Sequence, residues 1–270
     1  MFKHCAWLAM LTASLLSEVW AQEAIPPENR PKVRSIHFEG STSFEEATLL
    51  KRLRLMRVGS AFQPGGLDAD IELNLKSFLK EHGFMSSEVR WQTTPEPDGT
   101  VDVTVEVSEG PQYRLGTLEF EGPTVFPREQ IRALIDLREG DILNFTKLKA
   151  GLDQLKHMYS DDGYINWSYL PEVNTSGTKM NLRFTIVEDQ QFRLGSVGFV
   201  GCGDQEEENQ LRSLIKLRPG EVFRMSEVEA GVIAINELDR FKTIGEADFV
   251  IYPDEKTGLI SVVFWLKPKE

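Results

Sequence analysis

The sequence predicts an α+β fold of three tandem β-α-α-β-β units, each a three-stranded mixed sheet covered on one face by two helices. Three observations carry this. Landmarks recur at intervals of about 80 residues, and the hydrophobic period changes in the same order inside each copy. The composition, 41% hydrophobic and 27% charged over 270 residues, is that of a globular chain, not a disordered or fibrous one.

The clearest copies of the opening segment run from Gln112 to Gly122 and from Gln191 to Gly201, with a degenerate third from Lys32 to Gly40. Downstream of each, an apolar residue precedes Arg-x-Gly: Met56-Arg57-Val58-Gly59, Leu137-Arg138-Glu139-Gly140 and Leu217-Arg218-Pro219-Gly220. After that glycine come Phe62, Leu143 or Phe223, and then Leu67, Leu148 or Val228. These offsets divide the chain into units at 32–110, 111–189 and 190–270.

Residues 1–21 read as a secretory leader, with Lys3 and His4 ahead of the apolar stretch Cys5 to Leu16 and a small-residue site at Val19-Trp20-Ala21. The apolar stretch is too short to span a bilayer. Residues 22–31 contain Pro26, Pro27 and Pro31 and form a semi-rigid lead-in. Each unit opens with an alternating strand that stops at a glycine, as Leu118 and Phe120 do before Gly122. Leu49, Leu50 and Leu53, or Ile131, Leu134 and Ile135, then fall at helical spacing, and Gly59 or Gly140 suits the left-handed position after a helix C-terminus. A second helix shows one face of Leu148, Leu152, Leu155 and Tyr159, or of Val228, Val232, Ile235 and Leu238. Asn144 or Thr146, and Ser226, are its candidate N-caps. Two strands close each unit. Val101 to Val107 and Met180 to Ile186 alternate, and Asp98-Gly99 and Ser176-Gly177 supply the hairpin turns before them. In unit three the segment Arg240 to Gly245 replaces the glycine-aromatic step, which weakens the signal for its second strand.

This order, the Phe-x-Gly that ends the first strand, the Arg-x-Gly between the helices, and Gly83-Phe84 or Gly163-Tyr164 before the second strand together resemble the polypeptide-transport-associated (POTRA) domains. These occur in the periplasm on outer-membrane protein assembly and translocation factors of the surface antigen family. The resemblance covers nearly all of residues 32–270. It implies an exported, periplasmic scaffold near the outer membrane that binds other polypeptides. Its implied mechanism is strand addition: the first and third strands lie side by side, the second is left at an edge, and an extended client pairs with it. The implied partners are unfolded or extended outer-membrane polypeptides and a separate outer-membrane barrel or envelope protein. The alternative is a structural linker between envelope components that handles no client. Family members usually continue into a membrane β-barrel, but the strand pattern of one is not seen here, so the chain is expected to hold the soluble part only.

The net charge of −12 repels nucleic-acid phosphates, and no nucleic acid is expected as a partner. No catalytic, cofactor or metal site is expected either. His37, His82 and His157 stand apart, and the chain has no Gly-x-Ser-x-Gly elbow, P-loop or His-Glu-x-x-His. Loss of the leader removes Cys5 and leaves Cys202 alone, so stability must come from burial and not from disulfides. The basic cluster Lys51, Arg52, Arg54 and Arg57 either complements the end of the first helix or touches anionic headgroups.

The candidate binding residues are Val89, Trp91, Trp167 and Tyr169 on the second strands of units one and two, and Val263 and Trp265 on the last strand. The first four either meet a client or cap the core. Proline at Arg90 or Ser168 is expected to be tolerated on such an edge. On the last strand, Ile260, Val262 and Phe264 should point inward, which sends Val263 and Trp265 to a face where unit two carries Arg183 and Thr185.

Overall fold

The computed structural model describes residues 30–269, and the leader and residues 22–29 of the lead-in lie outside them. Alternation of Val101, Val103, Val105 and Val107 gives β3 (Val101–Ser108) one buried and one wet face, and β3 is the centre of the first sheet. β1 (Val33–Glu39) runs parallel to it on one side, and β2 (Glu88–Pro95) runs antiparallel on the other. The mixed pairing follows from the connections, since a hairpin joins β2 to β3 while two helices make the crossover from β1. Those helices are α1 (Glu46–Leu50) and a longer one made of α2 (Pro64–Ala69), a π-helical stretch (Asp70–Leu75) and α3 (Lys76–Glu81).

Unit two repeats the plan with β4 (Arg114–Glu121), α4 (Arg128–Ala133), α5 (Phe145–Asp161), β5 (Ser168–Ser176) and β6 (Lys179–Val187). Unit three has β7 (Arg193–Val200), α6 (Gln205–Leu214), α7 (Met225–Glu237), β8 (Phe249–Asp254) and β9 (Leu259–Trp265). The strand orders are β1-β3-β2, β4-β6-β5 and β7-β9-β8, and each sheet has its own apolar core. No described helix is long and apolar enough to cross a membrane.

The second helices differ in one position that sets their distance from the preceding segment. A Cβ on Gly151 of α5 would stand 2.6 Å from the Leu134 carbonyl oxygen, and one on Gly231 of α7 would stand 2.1 Å from Ile215 Cδ1, so both helices pack closely. Unit one carries Asp70 there, together with one more residue in the helix, and the π-helical stretch absorbs it. Asp70 is fully buried and accepts the amides of Arg54, Leu55 and Met56, each at 2.8 Å, and the Asn74 side chain at 3.0 Å.

Several local expectations change. The first helices of units one and two are single short turns, and Gly59 and Gly140 do not terminate them. These glycines do take positive φ, +85° and +88°, but in a turn that brings the chain back onto the first strand. Asn144 caps α5 by accepting the Lys147 amide at 2.9 Å, while Thr146 and Ser226 cap nothing. Leu152 is only half-buried, and Leu238 lies past the end of α7 and is exposed.

Thr146 and Ser226 serve the joints, which are built alike. The Tyr113 amide donates to the Gly83 carbonyl, and the Phe192 amide to that of Gly163, both at 2.8 Å. The Gln112 and Gln191 side chains donate to the carbonyls of His82 (3.0 Å) and Asp162 (2.9 Å). Thr146 Oγ1 donates to Glu81 at 2.9 Å, and the Ser226 amide to Asp161 at 2.7 Å. Met85 packs on the core of unit two and Ile165 on that of unit three, so each unit places an apolar residue in its successor.

A carboxylate ties the turn after the first strand to the end of the sheet in units one and two. Glu109 accepts from Ser41, Thr42 and Ser43, and Glu188 from Thr124, the Val125 amide and the Tyr159 hydroxyl. Burial works to raise the Glu109 pKa, but the hydrogen bonds outweigh it and hold the group at about 2, down from 4.5. The stability it contributes is therefore present above about pH 4.5 and is lost as pH falls toward 2. Acid unfolding of unit one, followed between pH 5 and 2 in roughly this window, should flatten in Glu109→Gln. A curve parallel to that of the unmodified protein would remove Glu109 from the account.

Candidate functional site

The two edges of each sheet are treated differently. The Arg-x-Gly segment folds back onto the start of the first strand and pairs with it at one residue. Val33 donates to Ser60 (2.9 Å) and accepts from Gly59 (2.7 Å). Leu115 does the same with Asp141 and Gly140, and Leu194 with Glu221 and Gly220. This explains the recurring glycine, since the left-handed residue turns the chain so that its own amide meets the strand. The second strands receive no such cover. Among the described residues, no backbone hydrogen bond outside the sheet ladder reaches residues 88–94 of β2.

Which groups of β2 are free follows from the alternation of an antiparallel ladder. The Glu96 amide donates inward to Thr100 at 2.9 Å, and the β2–β3 register runs without a shift from Glu88 to Pro95. The amides of Thr94, Gln92 and Arg90 therefore face β3, and those of Thr93, Trp91 and Val89 face outward. In β5 the two-residue turn pairs Ser176 with Lys179, which directs the amides of Ser168, Leu170, Glu172 and Asn174 inward. Proline at Arg90 or Ser168 would thus remove a ladder bond, contrary to the sequence expectation. The neighbouring positions are the tolerant ones.

The candidate side chains on these strands face their own cores. Val89 and Trp91 are half-buried against the core of unit one. Trp91 Nε1 donates to Asp68 at 2.8 Å, and its ring meets Phe62 edge-on. Trp167 lies one residue ahead of β5 and stacks on Tyr159 at 4.9 Å, while Tyr169 meets Phe184 edge-on. What Val89, Trp91 and Tyr169 present at the edge is main chain, not side chain.

The outer faces of the sheets differ. In unit one Arg34 pairs with Asp102 and with Glu96 at 2.8 Å. In unit two Arg183 bridges Glu119, Glu121 and Glu172 at 3.2–3.6 Å across all three strands. In unit three Ile260, Val262 and Phe264 are fully buried, and the outer face carries Val200, Val250, Tyr252, Val263 and Trp265. Trp265 is 47% exposed beside Val200, and Val263 lies between Gly198 and Val250.

The remaining chemistry is sparse. Arg52 lies over the Phe78 ring at 4.1 Å, and Lys51, Arg54 and Arg57 surround the turn after α1. His82 Nδ1 is 2.8 Å from the Phe78 carbonyl, and His37 is 3.6 Å from Glu46. Cys202 is half-buried on the core of unit three. Among the described residues no group of three His, Cys, Asp or Glu is placed to hold a metal ion.

The POTRA family model, described as surface antigen variable number repeat, matches residues 31–110 and 113–189. The chain is 27% identical over 239 residues to a Treponema pallidum protein named as an outer membrane protein assembly factor, covering 84% of this chain and 28% of that one. It is 21% identical over 257 residues to the outer membrane protein assembly factor BamA of Neisseria meningitidis, covering 88% of this chain and 32% of that one. It thus spans about a third of the length of these relatives. The crystal structure of Haemophilus influenzae BamA POTRA3-5 superposes with a TM-score of 0.73 at 18% identity, covering 88% of this chain and 96% of that one, a likeness of fold.

Proposed function

The chain belongs to the POTRA family, and from that premise we propose that it is a periplasmic scaffold that binds extended polypeptides during outer-membrane protein assembly or transport, by strand addition. The observation that carries this is the open second strand of unit one, whose outward main-chain groups meet no backbone partner among the described residues, while the Arg-x-Gly turn engages the start of the opposite edge. Pairing through main chain tolerates many client sequences. Each bond contributes only about 0.5–1.5 kcal/mol net, so a few of them hold a client weakly enough to release it. The test is binding of an unfolded outer-membrane barrel polypeptide, read by hydrogen exchange. Protection of Val89, Trp91 and Thr93 amides is expected; capture of folded envelope proteins alone would support the linker instead. The duplicated joints favour that second reading, because they suit a spacer of fixed shape.

Val263 and Trp265 are proposed to meet a folded partner, for example a separate barrel. Their face is apolar where those of units one and two carry ion pairs. Trp265→Ser should weaken capture by roughly 2 kcal/mol, as loss of a central aromatic anchor does. It should change stability by about 0.5 kcal/mol or less, as exposed positions do. A large fall in the unfolding midpoint with capture intact would assign Trp265 to the protein's own packing.

A further inference from the structure

We propose that this chain's own prolines confine strand addition to unit one, and that β2 takes an extended polypeptide bearing a basic residue. The inference rests on the strand-addition reading above and says which of three similar edges is competent. In β5, Pro171 pairs with Phe184 at a position whose amide would face outward, so the free edge is interrupted between Tyr169 and Val173. In β8, Pro253 pairs with Ile260 at the corresponding phase and leaves only Phe249 and Ile251 as outward donors. Proline at such positions keeps the internal ladder whole while removing the donor an incoming strand needs, and it is a known protection of sheet edges. β2 has its proline at the very end, Pro95, beyond the outward donors Val89, Trp91 and Thr93. It alone offers three consecutive ones.

The charge around β2 indicates what it accepts. A cleft of about 380 Å³ on the outer face of the first sheet is lined by Glu39, Glu88, Arg90, Glu106 and Ser108. Arg90 is taken by Glu88 at 3.2 Å, while Glu39 and Glu106 have no cation of their own among the described residues. A strand added beside Glu88 and Arg90 brings its outward side chains to this acidic end, where Lys or Arg is attracted and Asp or Glu repelled.

The experiment uses the full mature chain and a ten-residue probe peptide that alternates valine with threonine and carries one lysine. Titration should find one site, at least tenfold weaker in Thr93→Pro, whose circular dichroism stays unchanged. Pro171→Val should open a second site. Exchanging the peptide lysine for glutamate should weaken binding several-fold at low salt. Unchanged affinity in Thr93→Pro, or no second site in Pro171→Val, would overturn the assignment to β2. A peptide N-methylated at the amides of one edge separates the two levels. If it binds the unmodified protein as well as its parent does, strand addition itself fails, and this inference with it.

Discussion

Tyr159→Ala is expected to cost about 3–5 kcal/mol, the range for removing a large aromatic from a well-packed core. Tyr159 is fully buried and organises unit two. Phe126 meets it edge-on at 5.0 Å, Trp167 stacks on it at 4.9 Å, and its hydroxyl donates to Glu188 at 2.7 Å. Through Glu188 it also reaches the turn after β4, so the loss extends beyond the cavity. Tyr159→Phe should cost about 1 kcal/mol, the worth of one hydrogen bond. The described residues hold one tryptophan per unit, Trp91, Trp167 and Trp265. Urea unfolding of variants that keep only Trp167 therefore reports this unit. Equal effects of the alanine and phenylalanine variants would mean that the ring is not what holds the core.

Asp70→Ala should destabilise unit one by about 2–4 kcal/mol, because three backbone amides lose their acceptor at once and Met56 lies in the buried interior. Asp70→Gly should be as damaging, although glycine is what the other two units use there. Gly151 and Gly231 work by letting the helix touch the preceding segment, whereas Asp70 spans a wider gap through its carboxylate. Asp70→Asn keeps one acceptor oxygen and should fall between. The readout is urea unfolding followed by Trp91. A glycine variant as stable as the unmodified protein would show that the gap closes without the carboxylate.

The first-strand edge shows how far local pattern reaches. Arg57-Val58-Gly59 and its two counterparts are plain repeats, and their glycines are readable as left-handed residues. Their partner is not readable, because Val33 is distant in sequence and only the folded unit brings its amide to Ser60. Thr146 and Ser226 mislead for the same reason. Each is a good cap by type and position, but each is used by an acid of the preceding unit. Trp91 was recognisable as a half-buried strand residue, whereas Trp167 falls just ahead of its strand, and the direction of both rings depends on what packs above them, Phe62 and Asp68 for one and Tyr159 for the other.

By itself the sequence determined the number of units, the order of elements, the buried sets of the closing strands and the asymmetry of the last one. Each of these is written in local period or in spacing between copies. Only the tertiary structure decided where the Arg-x-Gly turn meets the first strand, which amides point out of the second, how Asp70 replaces a helix contact, and what the joints consume. Those depend on hydrogen bonds between residues far apart in the chain, and a backbone donor carries no sequence mark of the acceptor it will meet.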